Sequence, residues 1–442
     1  MRPTINNDPP PRRPDASRPT AAVPPDPDCP VPATPARVVF LVALLLRAAW
    51  GTYRFITAEQ AGTLEFPDEE QYWLIASNLW SHGQCLDEFG FRATRMPVFT
   101  ALLAPFTAFE YGTAYFKATQ WFVASLIPAL VLVTAWRNFG ATCGWLAGFA
   151  VAFDPFQIFF SSLILTETWF TLLFTLTWTQ AIRLTLHPRP TWNGWLWFGI
   201  ACCGAVYLRE TGLVLCALLA LAIPLLRPVG SRRWFAGSLL AAVVVVGGLL
   251  PWAARNRVVL GEWVFLTTRG GVSLYDGVRP GADGSSRLEN VQRSEETLPM
   301  GELAWHRHFQ RESRKAITQE PGRIARLAVV KLKRMWNPIP NVSTYQNAAI
   351  RIISGIWMIP LYLLFFIGTI MLTAGRAGTA GKATIWLTWL PIIGLCFVHA
   401  LFVGSVRYRL PVMPMVEMVA AIAAVKLVWS TGTAKPEPTD NG

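Results

Sequence analysis

The sequence predicts an all-α polytopic membrane protein with about ten transmembrane helices and further helices along the membrane surface. Three observations carry this. Hydrophobic residues make up 52% of the 442 positions and charged residues only 15%, with a mean hydropathy of +0.35. Several apolar runs reach the roughly 20 residues that span hydrocarbon. The 20 tryptophans exceed what a soluble enzyme of this size carries and suit a chain that crosses the membrane interface often. The net charge of +12 then reads as positive-inside loops and contact with anionic lipid or a phosphate-bearing substrate, not nucleic acid.

The elements follow in chain order. Residues 1–36 are proline-rich and read as a disordered tail, which its arginines together with Arg37 place in the cytoplasm. A transmembrane module covers 37–254 and includes a first exported loop at 58–112. A second exported loop with an amphipathic helix covers 255–348, C-terminal transmembrane helices cover 349–430, and a cytoplasmic tail covers 431–442. The expected spans are about 37–57, 113–136, 142–157, 163–184, 192–208, 211–227, 234–253, 349–373, 383–402 and 411–430. The first has no cleavage signal and reads as an uncleaved anchor. The run 96–109 holds Pro97 and Pro105 and is short for a span. Keeping it in the interface as a surface or re-entrant helix leaves the basic loops at Arg137, Arg183–Arg189, Arg227–Arg233 and Arg376–Lys382 on the cytoplasmic side, with both termini. In the second exported loop, a glycine-rich stretch precedes a basic amphipathic segment, Glu302–Trp336, expected to form one surface helix that ends at Asn337-Pro338.

The acidic stretch Phe66–Gly83, FPDEEQYWLIASNLWSHG, stands out in this basic, apolar chain. Pro67 suits a first helical position, and Asp68, Glu69 and Glu70 suit a first turn. Tyr72, Ile75, Ala76 and Leu79 recur at helical spacing. The topology places Asp68 and Glu69 just outside the membrane, where a carboxylate can act as general base on an acceptor hydroxyl. An acidic first turn also simply complements the helix dipole, and spacing alone does not choose.

Charged residues at membrane level are costly and invite a functional reading, with snorkelling or an internal pair such as Arg209–Glu210 as the plainer account. Arg47, Glu167, Arg209, Glu210, Arg255, Arg257, Arg407 and Arg409 fall in this group. Arg95, Arg209, Arg255 and Arg407 are all expected at the face that carries Asp68, and guanidinium groups grip phosphate bidentately. The seven cysteines form no CxxC pair, and the scattered histidines make no metal set. The glycine-rich stretch 270–284 lacks nucleotide-loop spacing.

An ordered series of segments carries a resemblance: PDEEQYWLIASNLWSHG, RMPVFTALLAPF, DPFQIFFSSLILTETWF, GAVYLRETGLVL, PWAARNRVVLGEWVFLTTRGGVSLYDG and RYRLPVMPM. The chain resembles the polytopic glycosyltransferases of the GT-C fold, in the family 39-like group of protein O-mannosyltransferases and the lipid A aminoarabinose transferase. That resemblance implies an inverting enzyme that takes a sugar from a polyprenyl-phosphate donor on the non-cytoplasmic face of a membrane, expected here to be a bacterial inner membrane. It implies Asp68 as catalytic base with Glu69 as helper, and Arg95, Arg209, Arg255 and Arg407 on the donor phosphate. Tyr72, Glu167 and Arg409 are further candidates. The acceptor would be a hydroxyl on a glycan, lipid or protein. No cofactor is assigned, and a divalent metal is left open without residues that indicate one. Two departures are visible. Arg95-Met96-Pro97 stands where the aminoarabinose transferase has Lys before two prolines, and no large extra exported domain is present. The competing class is a transporter or lipid flippase, which would place paired charges and broken helices at mid-membrane and often shows internal repeats.

Overall fold

The structure is a computed structural model that describes residues 30–57, 64–227, 232–288, 291, 297, 299–342, 345–374 and 378–431. The expected tails therefore lie almost wholly outside the described residues. Helices carry the described fold: α1 (Ala33–Thr57), α2 (Pro67–His82), α3 (Pro97–Leu103), α4 (Gly112–Phe139), α5 (Ala141–Phe153), α6 (Pro155–Phe160), α7 (Glu167–Leu186), α8 (Trp192–Leu208), α9 (Thr211–Leu225), α10 (Arg232–Leu260), α11 (Gly270–Val278), α12 (Glu302–Gln319), α13 (Pro321–Met335), α14 (Ala348–Thr373), α15 (Gly378–Leu401) and α16 (Met413–Thr431). Short 3₁₀ turns follow α3 at Ala104–Ala108 and precede α16 at Val406–Val412.

Nine of the ten expected spans meet one α-helix each, and 142–157 covers α5 and the start of α6, which break at Asp154. The segments long and apolar enough to cross a membrane are α1, α4, α10, α14, α15 and the run Val406–Val428, while α5 and α9 are shorter apolar helices. This is an integral membrane protein. The run 96–109 forms α3 and its 3₁₀ turn, far short of a span, and packs on α2 and α4.

Hydrocarbon tails are as apolar as leucine, so these helices associate through close packing. Gly148 lets α5 sit on α4: a methyl there would meet Leu132 Cβ at 2.9 Å. Gly199 does the same for α8 on α10, against Ala241 Cα at 3.0 Å. Trp178, Trp195, Phe174 and Phe198 fill the interior, whereas Leu45, Ile356 and Phe397 face outward, where lipid would cover them.

One surface element departs from expectation. The segment 302–336 is two helices, not one, because Pro321 removes a backbone donor and drives Glu320 out of helical geometry (φ −131°, ψ 58°). The glycine-rich stretch before it also turns helical as α11, which packs on α12 through Val272, Trp305 and Phe309. Arg47 is fully buried in α1 and donates to Ala43 O and to Ala152 O at the end of α5, so it holds two helices together.

Candidate functional site

Asp68 lies in the first turn of α2 and meets three guanidinium groups. Arg95 Nη2 is 2.5 Å from Oδ1, Arg407 Nη2 is 2.7 Å from Oδ2, and Arg269 Nη2 is 3.9 Å from Oδ1. Arg407 also approaches Glu167 at 3.7 Å, and Arg209 pairs with the same Glu167 oxygen at 2.8 Å. Gln71, one turn along α2, accepts from Arg95 Nε at 2.7 Å and from Arg269 Nη1 at 2.9 Å. Tyr72 offers its ring to the Arg95 guanidinium at 4.6 Å and its hydroxyl to Nη1 at 3.2 Å. Glu210 accepts from Thr267 Oγ1 beside the same arginines. The Asp68 side chain is 20% exposed, so the cluster is recessed but reachable.

These groups come from separate parts of the chain, and Glu302 ties two of those parts together. At the start of α12, its Oε2 accepts from Arg92 N at 2.6 Å. Its Oε1 accepts from Ala93 N at 2.8 Å and Thr268 Oγ1 at 2.7 Å. Thr268 N in turn donates to Ala93 O at 2.9 Å. The loops that present Arg95 and Arg269 are thereby fixed side by side.

The electrostatics favour an added anion. Burial works against the charged form of Asp68, but Arg407, Arg95 and Arg269 outweigh it and hold the carboxyl well below its usual range. Burial and the neighbouring Arg95 bring Arg269 down to about 10, a sign of crowded positive charge. Burial raises the Glu210 carboxyl, which weakens one of the counter-charges. Four arginines thus face Asp68, Glu167 and a carboxyl that resists ionisation.

No protein-family model matches the chain, and no curated protein sequence matches it. Solved structures do. The oligosaccharyltransferase AglB from Archaeoglobus fulgidus, in complex with an inhibitory peptide and a dolichol-phosphate, superposes with a TM-score of 0.55 at 12% identity over 90% of this chain. The same enzyme tethered to an acceptor peptide containing the NVT sequon gives 0.55 at 13% identity, again over 90% of this chain. The chain has the GT-C fold of membrane glycosyltransferases. It spans about half of AglB, 50% of that chain in both structures. ArnT from Cupriavidus metallidurans bound to undecaprenyl phosphate is also matched, over 92% of this chain and 80% of that one, at 13% identity and a TM-score of only 0.38.

Within this GT-C chain the residues singled out by sequence divide into two groups. Asp68, Arg95, Tyr72, Glu167, Arg209 and Arg407 converge. Glu69, Arg255 and Arg409 lie outside the Asp68 cluster. Glu69 turns inward and is fully buried: Oε1 accepts from Ile164 N at 2.6 Å, and Oε2 from Glu65 N at 2.9 Å and Phe66 N at 3.2 Å. Arg255 donates to Arg92 O at 2.8 Å and stacks on Trp252, so it braces the Arg95 loop from behind. Arg409 is fully buried, donates to Met335 O and Asn337 O, and covers the Phe156 ring. Arg209 pairs with Glu167, where an Arg209–Glu210 pair was the plainer alternative in the sequence.

Arg269, Gln71 and Glu302 were missed. Arg269 lies in TTRGG, a stretch read only for its glycines, and an arginine set between Thr268 and Gly270 was the available signal. Among the described residues no group of three or more His, Cys, Asp or Glu side chains is arranged to hold a metal ion.

The Glu69 geometry sets up a stability test. Glutamine at 69 keeps one acceptor oxygen but points an N–H at a backbone donor. Glu69→Gln is expected to cost about 1–3 kcal/mol, read as a lower melting temperature of the detergent-purified protein. An unchanged melting temperature would remove the anchoring role.

Proposed function

We propose that this GT-C protein transfers a sugar from a polyprenyl-phosphate donor to an acceptor hydroxyl, with inversion, on the non-cytoplasmic face of a bacterial inner membrane and with both termini in the cytoplasm. The observation that carries the proposal is the placement of one recessed carboxylate among three arginines. Asp68 takes the proton from the acceptor hydroxyl. The acceptor oxygen then bonds to the anomeric carbon, the bond from that carbon to the phosphate oxygen breaks, and the leaving lipid phosphate keeps the electron pair. Arg95, Arg269 and Arg407 stabilise the charge that develops on it, and Arg209 supports Arg407 through Glu167. AglB carries dolichol-phosphate in its complex, which supports a lipid of this kind as carrier. Charge gathered on one face counts against transport, which needs access from both sides.

The test is direct. Purified protein, given synthetic polyprenyl-phosphate sugars and cell-envelope acceptors, is expected to release polyprenyl phosphate. A panel of such donors that yields none would overturn the reading. Mass spectrometry of envelope glycans in a deletion strain identifies the sugar and acceptor.

Two further outcomes follow from the geometry. The lowered Asp68 carboxyl remains ionised until the pH falls below the ordinary carboxylate value toward its own depressed one. The stabilisation that its ion pairs give is therefore complete above about pH 4 and lost only below it. The acidic side of the kcat/KM profile of the free enzyme is expected to stay flat from pH 8 to pH 5, and a limb near pH 6 would exclude Asp68 as the base seen there. Glu302→Ala frees the loops that hold Arg95 and Arg269, and is expected to lower kcat/KM roughly a hundredfold, because small misplacements of positioning groups are that costly. Steady-state kinetics on folded protein checks this, and wild-type kinetics would refute the tie.

A further inference from the structure

A crevice of 310 Å³ lies between α4, α7 and α8, toward the end of α7 remote from the Asp68 cluster. Glu167, in the arginine cluster, opens α7, and Arg183 follows near its other end, about 24 Å along the axis at 1.5 Å per residue. The crevice is therefore separate from the proposed active site. Its polar floor includes Arg137 and Asn138 from α4 and Gln180 and Arg183 from α7. Its wall includes Leu176 and Trp197, which are 38% and 59% exposed and face where lipid would lie.

Each arginine sits in the last turn of its helix, where a cation complements the carbonyl ends. That preference accounts for each one singly. It does not account for two of them on one crevice whose other wall is apolar and open to the bilayer. Asn138, on the same lining, is held in place by Nδ2, which donates to Thr134 O at 2.8 Å.

We propose that this crevice binds an anionic glycerophospholipid of the leaflet opposite the active site. Arg137 and Arg183 hold the phosphate, and the acyl chains run along Trp197 and Leu176. Basic pockets between transmembrane helices select anionic headgroups by this combination of charge and apolar wall. The site is independent of the transferase reading.

The experiment uses full-length protein in an uncharged detergent, titrated with phosphatidylglycerol, phosphatidylcholine or inorganic phosphate while the melting temperature is followed. Phosphatidylglycerol is expected to raise it saturably, and the other two to leave it nearly unchanged. Arg137→Gln with Arg183→Gln is expected to weaken the phosphatidylglycerol midpoint roughly thirtyfold. The Arg137→Lys, Arg183→Lys protein keeps the charge and is expected to retain most of the effect. Ala201→Trp, which fills the crevice without altering a charge, is expected to abolish it, so the proposal stays testable where the glutamine variants do not fold. Equal stabilisation by phosphatidylcholine would show a non-specific lipid effect, and equal stabilisation by phosphate a simple anion site. Either result overturns the proposal, as does an unchanged midpoint in the folded glutamine or Ala201→Trp protein.

Discussion

Asp68→Asn is expected to reduce turnover by about 10²–10⁴, the usual range for loss of a general base, and at the same time to bind polyprenyl phosphate more tightly. The second half follows from the resting geometry. Arg95, Arg269 and Arg407 already hold an anion, and that anion is Asp68. A donor phosphate must draw those guanidinium groups away from the carboxylate. Asparagine has no charge to compete, so affinity for the lipid phosphate is expected to rise about tenfold, the equivalent of one charge-assisted contact. Release of labelled polyprenyl phosphate measures the turnover, and a fluorescence titration with the sugar-free lipid measures the affinity. Near-normal turnover would remove Asp68 as the base. Reduced turnover with unchanged or weaker affinity would keep the base and remove the competition. In the proposed reaction the same exchange would raise the proton affinity of Asp68, because less positive charge holds it down once the arginines turn to a phosphate.

Arg407→Lys is expected to be nearly as damaging as Arg407→Gln, with kcat/KM lowered about 10²–10³-fold. The reason is geometric. Arg407 reaches Asp68 through Nη2, extends Nε toward Glu167, and donates to the Tyr408 hydroxyl at 2.9 Å, so one planar group serves several partners. An ammonium ion is a point charge and cannot span them. Glu167 would then rely on Arg209 alone. If the lysine variant keeps more than a third of wild-type kcat/KM, charge alone suffices and the bridging role fails. Circular dichroism and melting temperature separate this from loss of folding.

The helical framework was legible because it rests on run length and apolarity. Nine of the ten apolar runs gave one α-helix each, the run 142–157 gave α5 and the start of α6 with a break at Asp154-Pro155, and the short run with Pro97 and Pro105 gave α3 and its 3₁₀ turn. A gathering of charge was legible too: topology placed Asp68, Arg95, Arg209, Arg255 and Arg407 on one face, and all of these but Arg255 join the cluster. The misplacements come from side-chain direction. Adjacent residues on a helix point about 100° apart, so Asp68 and Glu69 could not both face the same substrate. Asp68 faces the arginines and Glu69 the backbone of Ile164. Arg407 and Arg409 likewise leave one 3₁₀ turn on different sides, one to the site and one into the bundle under Phe156. Arg255 braces a backbone, a role that charge counting does not reveal. Glu302 joins segments remote in the chain, a relation that exists only after folding.

The distance along the chain between Asp68 and Arg407 has a consequence for biogenesis. Every expected span except α1 and α16 lies between them. As the chain is threaded into the bilayer from its N-terminal side, α2 and its carboxylate arrive early, and the last of their cations arrives only after α15 is in place. Until then Asp68 can meet Arg95 and Arg269 but lacks Arg407. A chain arrested before this point carries Asp68 without its full cation set, so the cluster on which the proposed reaction rests closes only when nearly all of the bundle is in place.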